Sequence, residues 1–136
     1  MTALTGDRNT PERSGDTREG PAAAGAVLFA GAMGAFNAAG NIVPVSTALN
    51  LKGAGRVENR VDNTGGGAGA QRVKLRVGIF RYANSAAADA LTQADIGSDV
   101  YGVDDQTVAK TSANNTRSIV GKLFDVDDQG VWVKFS

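Results

Sequence analysis

From Ala26 onward the apolar residues arrive in short runs, each broken by glycine, asparagine or aspartate. AVLFA closes at Gly31, AMGAF closes at an NAAG turn, and NIVPVS places Ile42, Val43 and Val45 close together. Short runs with that punctuation predict a β-meander. Pro44 has no N–H for a ladder, so its strand belongs at a sheet edge or at a bulge. STALNLKGAG then reads as a crossing loop and RVENRV as a weak strand. The clearest strand is RVKLRVGIFRY, where period two puts Val73, Leu75, Val77 and Ile79 on a buried face. Arg72, Lys74 and Arg76 fall on the opposite face as a basic stripe. ANSAAADALTQADIGSD is the one helical stretch. Its Thr92 and Asp95 have capping-box spacing, but Gly97 stops any helix within a turn. DVYGV, QTVAKT, SIVGKLFDV and GVWVKF complete the strands, with a bulge expected at Gly121. Eight or nine short strands in about 110 residues predict an all-β fold, an antiparallel β-sandwich or jelly roll.

Residues 1–21 differ from everything after them. They carry Pro11, Pro21 and alternating charge, and Leu4 is the only large aliphatic besides Met1. Such a segment buries too little to offset its ordering entropy, so it reads as a flexible N-terminal arm. It lacks the apolar stretch of a secretory signal. Residues 22–136 form the single domain.

Composition removes chemistry from the picture. The chain has no cysteine and no histidine, so thiolate metal sites, cysteine nucleophiles and the usual general base are all missing. An enzyme is not expected, nor a catalytic residue, cofactor or metal site. No apolar run approaches the ~18 residues that span a bilayer, so no membrane partner is expected. Glycine (18) and alanine (22) are abundant, which favours tight turns and close backbone contacts over long helices. Lysine and arginine (14) balance aspartate and glutamate (14) in total but not along the chain. Residues 52–81 hold seven bases against Glu58 and Asp62, a net of +5, while residues 82–136 hold eight aspartates against four bases, a net of −4. Pairing between these halves inside one molecule, or between copies, is expected.

Two loops imitate ligand sites. In DNTGGGAGAQR, residues 62–72, Gly65, Gly67 and Ala70 have the spacing of a dinucleotide-binding loop. That motif needs a helix after the glycines so that a pyrophosphate meets the helix N-terminus, and here a strand follows. The loop therefore reads as pliable and protein-facing. DVDDQG, residues 125–130, imitates the start of a calcium loop, but the twelfth position is Ser136 rather than glutamate, so it reads as a turn between strands. Asp104 and Asp105 read as turn residues too. The stripe Arg72, Lys74 and Arg76, with Arg56 and Arg60 before it, faces a partner protein or solvent. A nucleic-acid surface would interleave aromatics with these bases, whereas here the aromatics cluster at one end. Trp132 lies opposite Val131 and Val133, so it is either buried or a contact for a partner chain.

The order of segments carries a resemblance. AAGAVLFAGAMGAFNAAGNIVPV, VDNTGGGAGAQRVKLRVGIFRYAN, LTQADIGSDVYGVDDQTVAKT and SIVGKLFDVDDQGVWVKF follow one another over residues 22–136. Together they resemble the small cement, or head decoration, proteins of tailed bacteriophages. The resemblance implies a compact β domain, located in the virion on the capsid exterior after assembly in the host cytoplasm. There it would bind the major capsid protein and bridge neighbouring subunits without catalysis. Contacts with other copies of itself are expected as well, a homodimer being favoured because two-fold contacts are commonest and a trimer staying open. Arg56, Arg60, Arg72, Lys74, Arg76 and Trp132 are the expected contact residues. The alternative is a carbohydrate- or receptor-binding β-sandwich of a phage tail or secreted protein, using Trp132, Tyr82 and Tyr101 as an aromatic platform.

Overall fold

A computed structural model describes residues 2–135. The described residues fold into twelve strands and two single 3-10 turns, so the all-β expectation holds. In order, the strands are β1 (Thr17–Pro21), β2 (Val27–Leu28), β3 (Met33–Phe36), β4 (Ile42–Pro44), β5 (Lys52–Val57), β6 (Val61–Asp62), β7 (Arg72–Arg76), β8 (Ile79–Asn84), β9 (Asp99–Gly102), β10 (Thr107–Ala109), β11 (Ile119–Asp127) and β12 (Gly130–Lys134). A five-stranded sheet has the order β1-β7-β5-β3-β4, and β10-β8-β12-β11-β9 close into a small barrel. Every pairing is antiparallel except β8 with β10. β2 and β6 pair only with each other.

The sheet curls until its edges meet, where Ala22 bridges Ile42. Its inner face and the β2–β6 ribbon enclose one core: Leu28, Ile42, Val57, Val61, Val73 and Leu75 are buried with the three smaller residues Ala22, Ala32 and Ala54. The barrel encloses a second core that includes Val100, Val108, Leu123, Val131, Val133 and Phe135. Phe80 and Tyr82 pack on Phe135 at 6.3 and 6.2 Å, and the Tyr82 hydroxyl donates to the Gly31 carbonyl (2.9 Å). β3 serves both cores. Met33 and Ala35 face the barrel, while Phe36, and Ala32 just before the strand, join the sheet core. A Cβ on Gly34 would lie 2.7 Å from Leu75 Cδ2, so that position has no room for a side chain.

Five expectations change. Residues 17–21 belong to the sheet, because β1 pairs with β7 from Thr17↔Arg76 to Pro21↔Arg72. The arm without regular structure ends at residue 16. AVLFA is not part of a meander; only Val27 and Leu28 are extended, and they pair with β6. The expected crossing loop is shorter, since β5 already begins at Lys52. RVKLRVGIFRY is two strands rather than one. β7 ends at Arg76 and β8 starts at Ile79, with the chain passing from sheet to barrel through Val77 and Gly78. That step reverses the parity: Val73 and Leu75 point inward in β7, whereas Phe80 and Tyr82 do so in β8. Ile79 is thereby turned outward. Finally, residues 85–98 hold 3-10 turns at Ala87–Asp89 and Gln93–Asp95 instead of a helix, although the Thr92/Asp95 capping box is formed.

Other local readings stand. Pro44 sits in an edge strand, and the β9–β11 register shifts between Ile119 and Gly121. DVDDQG is the β11–β12 hairpin, where Gln129 N–H donates to Asp127 Oδ1 (2.8 Å).

Sheet and barrel meet through glycine. A Cβ on Gly53 of β5 would overlap the Val120 carbonyl oxygen of β11, whereas Gly67 has open space around it and no positive φ. Beside this joint the buried Ser118 hydroxyl donates to the Ala48 carbonyl (2.7 Å) and accepts from Leu51 N–H (3.1 Å). Overpacking of this kind costs about 1–3 kcal/mol. Gly53→Ala should lower the unfolding free energy read from urea titration by that amount and shift the midpoint down accordingly, with Gly67→Ala close to wild type. Equal midpoints would remove the glycine joint.

Candidate docking surface

The barrel covers only part of the sheet's outer face. Met33, Ala35, Val45 and the half-buried Leu51 enter the barrel core, but neither β7 nor β1 contributes a residue to it. The β7 end of this face stays open. Arg72, Lys74 and Arg76 project from it as expected, alternating with buried Val73 and Leu75. Register places Arg56 of β5 opposite Arg76, a juxtaposition that repels unless neutralised. Glu58 neutralises it, with Oε1 at 2.8 Å from Arg56 Nη2 and 3.7 Å from Arg76 Nε. Arg72 Nε lies 3.1 Å from Glu19 of β1. Lys74 has no ion pair among the described residues. Such exposed pairs contribute about 0–1 kcal/mol each and leave the arginines available to a partner.

Arg56 also joins this face to the barrel, its guanidinium lying 4.4 Å from the centre of the Phe80 ring. Beyond Phe80 lies the outer surface of β8, β11 and β12. Trp132 is here, half-buried, with Arg81 over its ring at 5.7 Å and its indole N–H donating to Asp127 Oδ2 (2.8 Å). It is thus outside the barrel core, opposite the buried Val131 and Val133. Ile79, Phe124 and Trp132 line one shallow depression, and Phe124 is 53% exposed. The β11–β12 register shifts between Leu123 and Asp125, which leaves Phe124 as the extra residue of a bulge. Bulges re-aim side chains in this way. A second depression containing Arg56, Phe80, Arg81 and Trp132 connects the apolar patch to the basic face.

Four of the six expected contact residues (Arg56, Arg72, Lys74, Arg76) therefore share one face, and Trp132 borders it. Arg60 does not join them. It sits between β5 and β6, stacked on the exposed Phe29 ring at 5.3 Å. Sequence reasoning missed Ile79 and Phe124. Ile79 was hidden by the parity step at Gly78. For Phe124 a signal existed: Val120, Leu123 and Val126 turn toward the core at intervals of three, which a strand achieves only with extra residues.

The glycine loop leads straight into Arg72 at one end of this face and is tied down instead of pliable. Buried Asn63 donates through Nδ2 to the carbonyls of Ala23 (2.8 Å) and Gly67 (3.0 Å). Gly69 N–H donates to Ala22 and Gly25 N–H to the Gly66 carbonyl. β7 follows the loop, so no helix N-terminus faces it. Comparison with protein-family models, curated proteins and solved structures gives no match for this chain.

Asp127 gives the surface a reporter. The Trp132 indole N–H, then the Gln129 backbone N–H, hold its carboxyl below the usual 3.8. A depressed carboxylate stabilises above its unfolded pKa, and that contribution disappears as pH falls through the folded value. Trp132 emission should therefore stay constant from neutral pH to about 4 and change only below it, before global unfolding. Asp127→Asn should abolish the step, and an unaltered step in that variant would disprove the assignment.

Proposed function

We propose that this chain is a non-enzymatic virion structural protein that binds the outside of an icosahedral phage capsid and cements neighbouring major capsid subunits. The carrying observation is the continuous surface from Arg72, Lys74 and Arg76 through Arg56 to Phe80, Trp132, Phe124 and Ile79. It has an apolar centre with aromatic anchors and a cationic flank, the make-up of a protein–protein interface. It has little depth and no histidine or cysteine, which fits adhesion by area better than turnover. The order of sequence segments supports the same reading. The complementary surface on the capsid protein is acidic, with an apolar ridge that meets Phe124.

Capsids lacking the protein provide the test. Added protein should co-sediment with them at low ionic strength and dissociate progressively as salt rises, because exposed charges dominate the flank. Phe124→Ala should weaken attachment by about tenfold or more, as expected for an anchor residue. Arg72→Ala/Lys74→Ala/Arg76→Ala should weaken it and flatten the salt dependence. Protein that stays in the supernatant at low salt would refute the reading.

A further inference from the structure

The six ion pairs of the described residues never cross between the basic segment and the acidic half. Arg56 and Arg76 use Glu58, and Arg72 uses Glu19. In the acidic half, Lys110 uses Asp95, Arg117 uses Asp89, and Lys122 uses Asp99. The expected pairing of the halves within one molecule is absent among the described residues, because each base pairs within its own half or, for Arg72, with Glu19 of β1. Two surfaces of opposite sign are left over.

The positive one is a groove of about 490 Å³ between the N-terminal arm and the sheet. Arg13, Arg18, Lys74 and Arg76 line it against Glu19 and Glu58, a net of +2. Arg13 and Lys74 have neither an ion pair nor a side-chain hydrogen bond among the described residues, so both charges are available.

The negative one is an end of the barrel. The β9–β10 turn and the β11–β12 hairpin flank a single groove there, to which they contribute Asp105 and Gln129. The turns hold Asp104, Asp105, Asp127 and Asp128, and Arg81 is the base that lines the groove between them. Arg81 is occupied by the Gln129 side chain (2.8 Å) and by the Trp132 ring. Asp104 and Asp127 brace their own turns by accepting from Gln106 N–H and Gln129 N–H. Asp105 and Asp128 do no such work, so two unused carboxylates sit on stiff supports. Met33 N–H donates to the Asp105 carbonyl and anchors the first turn to β3.

We infer that the acidic barrel end of one copy docks into the arm–sheet groove of a second copy of this chain. Charge complementarity selects this occupant: the two surfaces leave a net of +2 and −3, neither is neutralised locally, and the whole chain is neutral. A second copy brings both signs in equal amount. A contact between different patches builds rings or chains, or forms a pair in which it occurs twice. The inference goes beyond attachment to a capsid and does not depend on it.

Charge reversal in matched pairs is the test, read by sedimentation velocity without capsids. Wild type should associate at low ionic strength and dissociate at about 0.5 M salt, where screening is severe. Arg13→Glu/Lys74→Glu and, separately, Asp105→Lys/Asp128→Lys should each weaken self-association by about tenfold or more. Arg13, Lys74 and Asp128 are exposed and Asp105 is half-buried, and unchanged circular dichroism checks that each variant folds. An equimolar mixture of the two variants should regain association, since every groove then meets a turn of opposite sign. Monomeric wild type at low salt, association untouched by either reversal, or a mixture that stays monomeric would each overturn the contact. A protein that binds capsids yet stays monomeric would overturn this inference alone.

Discussion

Everything in this molecule depends on β3 being buried on both faces. Met33 and Ala35 are fully enclosed on the barrel side, and Gly34 is pressed against Leu75 on the other. A strand between two cores has no solvent face on which to spread side-chain volume, so small residues are required on at least one side. This explains the small residues Gly34 and Ala35 in the middle of β3. Gly53 repeats the device where β5 touches Val120, and Gly102, close to Val45, repeats it within the barrel. The close contact also sets what remains open. Because the barrel is seated on β3, β4 and β5, the β7–β1 end of the sheet extends past it and stays open as the candidate docking surface.

Much of the fold was legible because period two is a strong signal wherever one face is buried. Val73 and Leu75 against Arg72, Lys74 and Arg76 gave the correct inward and outward faces for β7. The same rule failed two residues later. Gly78 carries the chain from one core to another, and no local property of VGI announces that the inward side has changed. β5 was hidden for a different reason: Lys52–Val57 is rich in glycine because it approaches other backbone closely, and glycine ordinarily signals a loop. β1 was unreadable because Thr17–Pro21 adds almost no apolar surface of its own. It is held by the ladder to β7 and by Gly20 fitting beneath Ile42 and Phe36. The basic half of the docking surface was thus visible in the sequence, while its apolar half needed tertiary structure to expose Ile79 and Phe124.

The charge distribution has the same logic of local satisfaction. Arg56 and Arg76 are forced together by strand register, so Glu58 must serve them both and cannot neutralise anything further away. In the acidic half Asp89, Asp95 and Asp99 are each committed to a nearby base, and hydrogen bonds from Thr111 and then Arg117 hold the Asp89 carboxyl below its ordinary value. What is left is carried by residues at strand faces and turn tips. Such charges contribute little to stability. Their field nonetheless extends roughly a Debye length, ~8–10 Å, far enough to orient an approaching protein.

Closure of the barrel adds one more constraint on how this protein meets others. A closed barrel has no free edge, so any strand added by a partner must pair with the sheet. The sheet has two edges, β4 and β1, which touch where Ala22 bridges Ile42 and diverge from there. β4 is three residues long and contains Pro44, which cannot donate to a ladder. β1 is longer, is occupied on one side by β7, and follows directly from the exposed arm. It also runs beside Lys74 and Arg76, so a strand laid along it would lie next to the basic face. Backbone pairing and charge complementarity would then act on the same partner segment, and one acidic extended chain satisfies both.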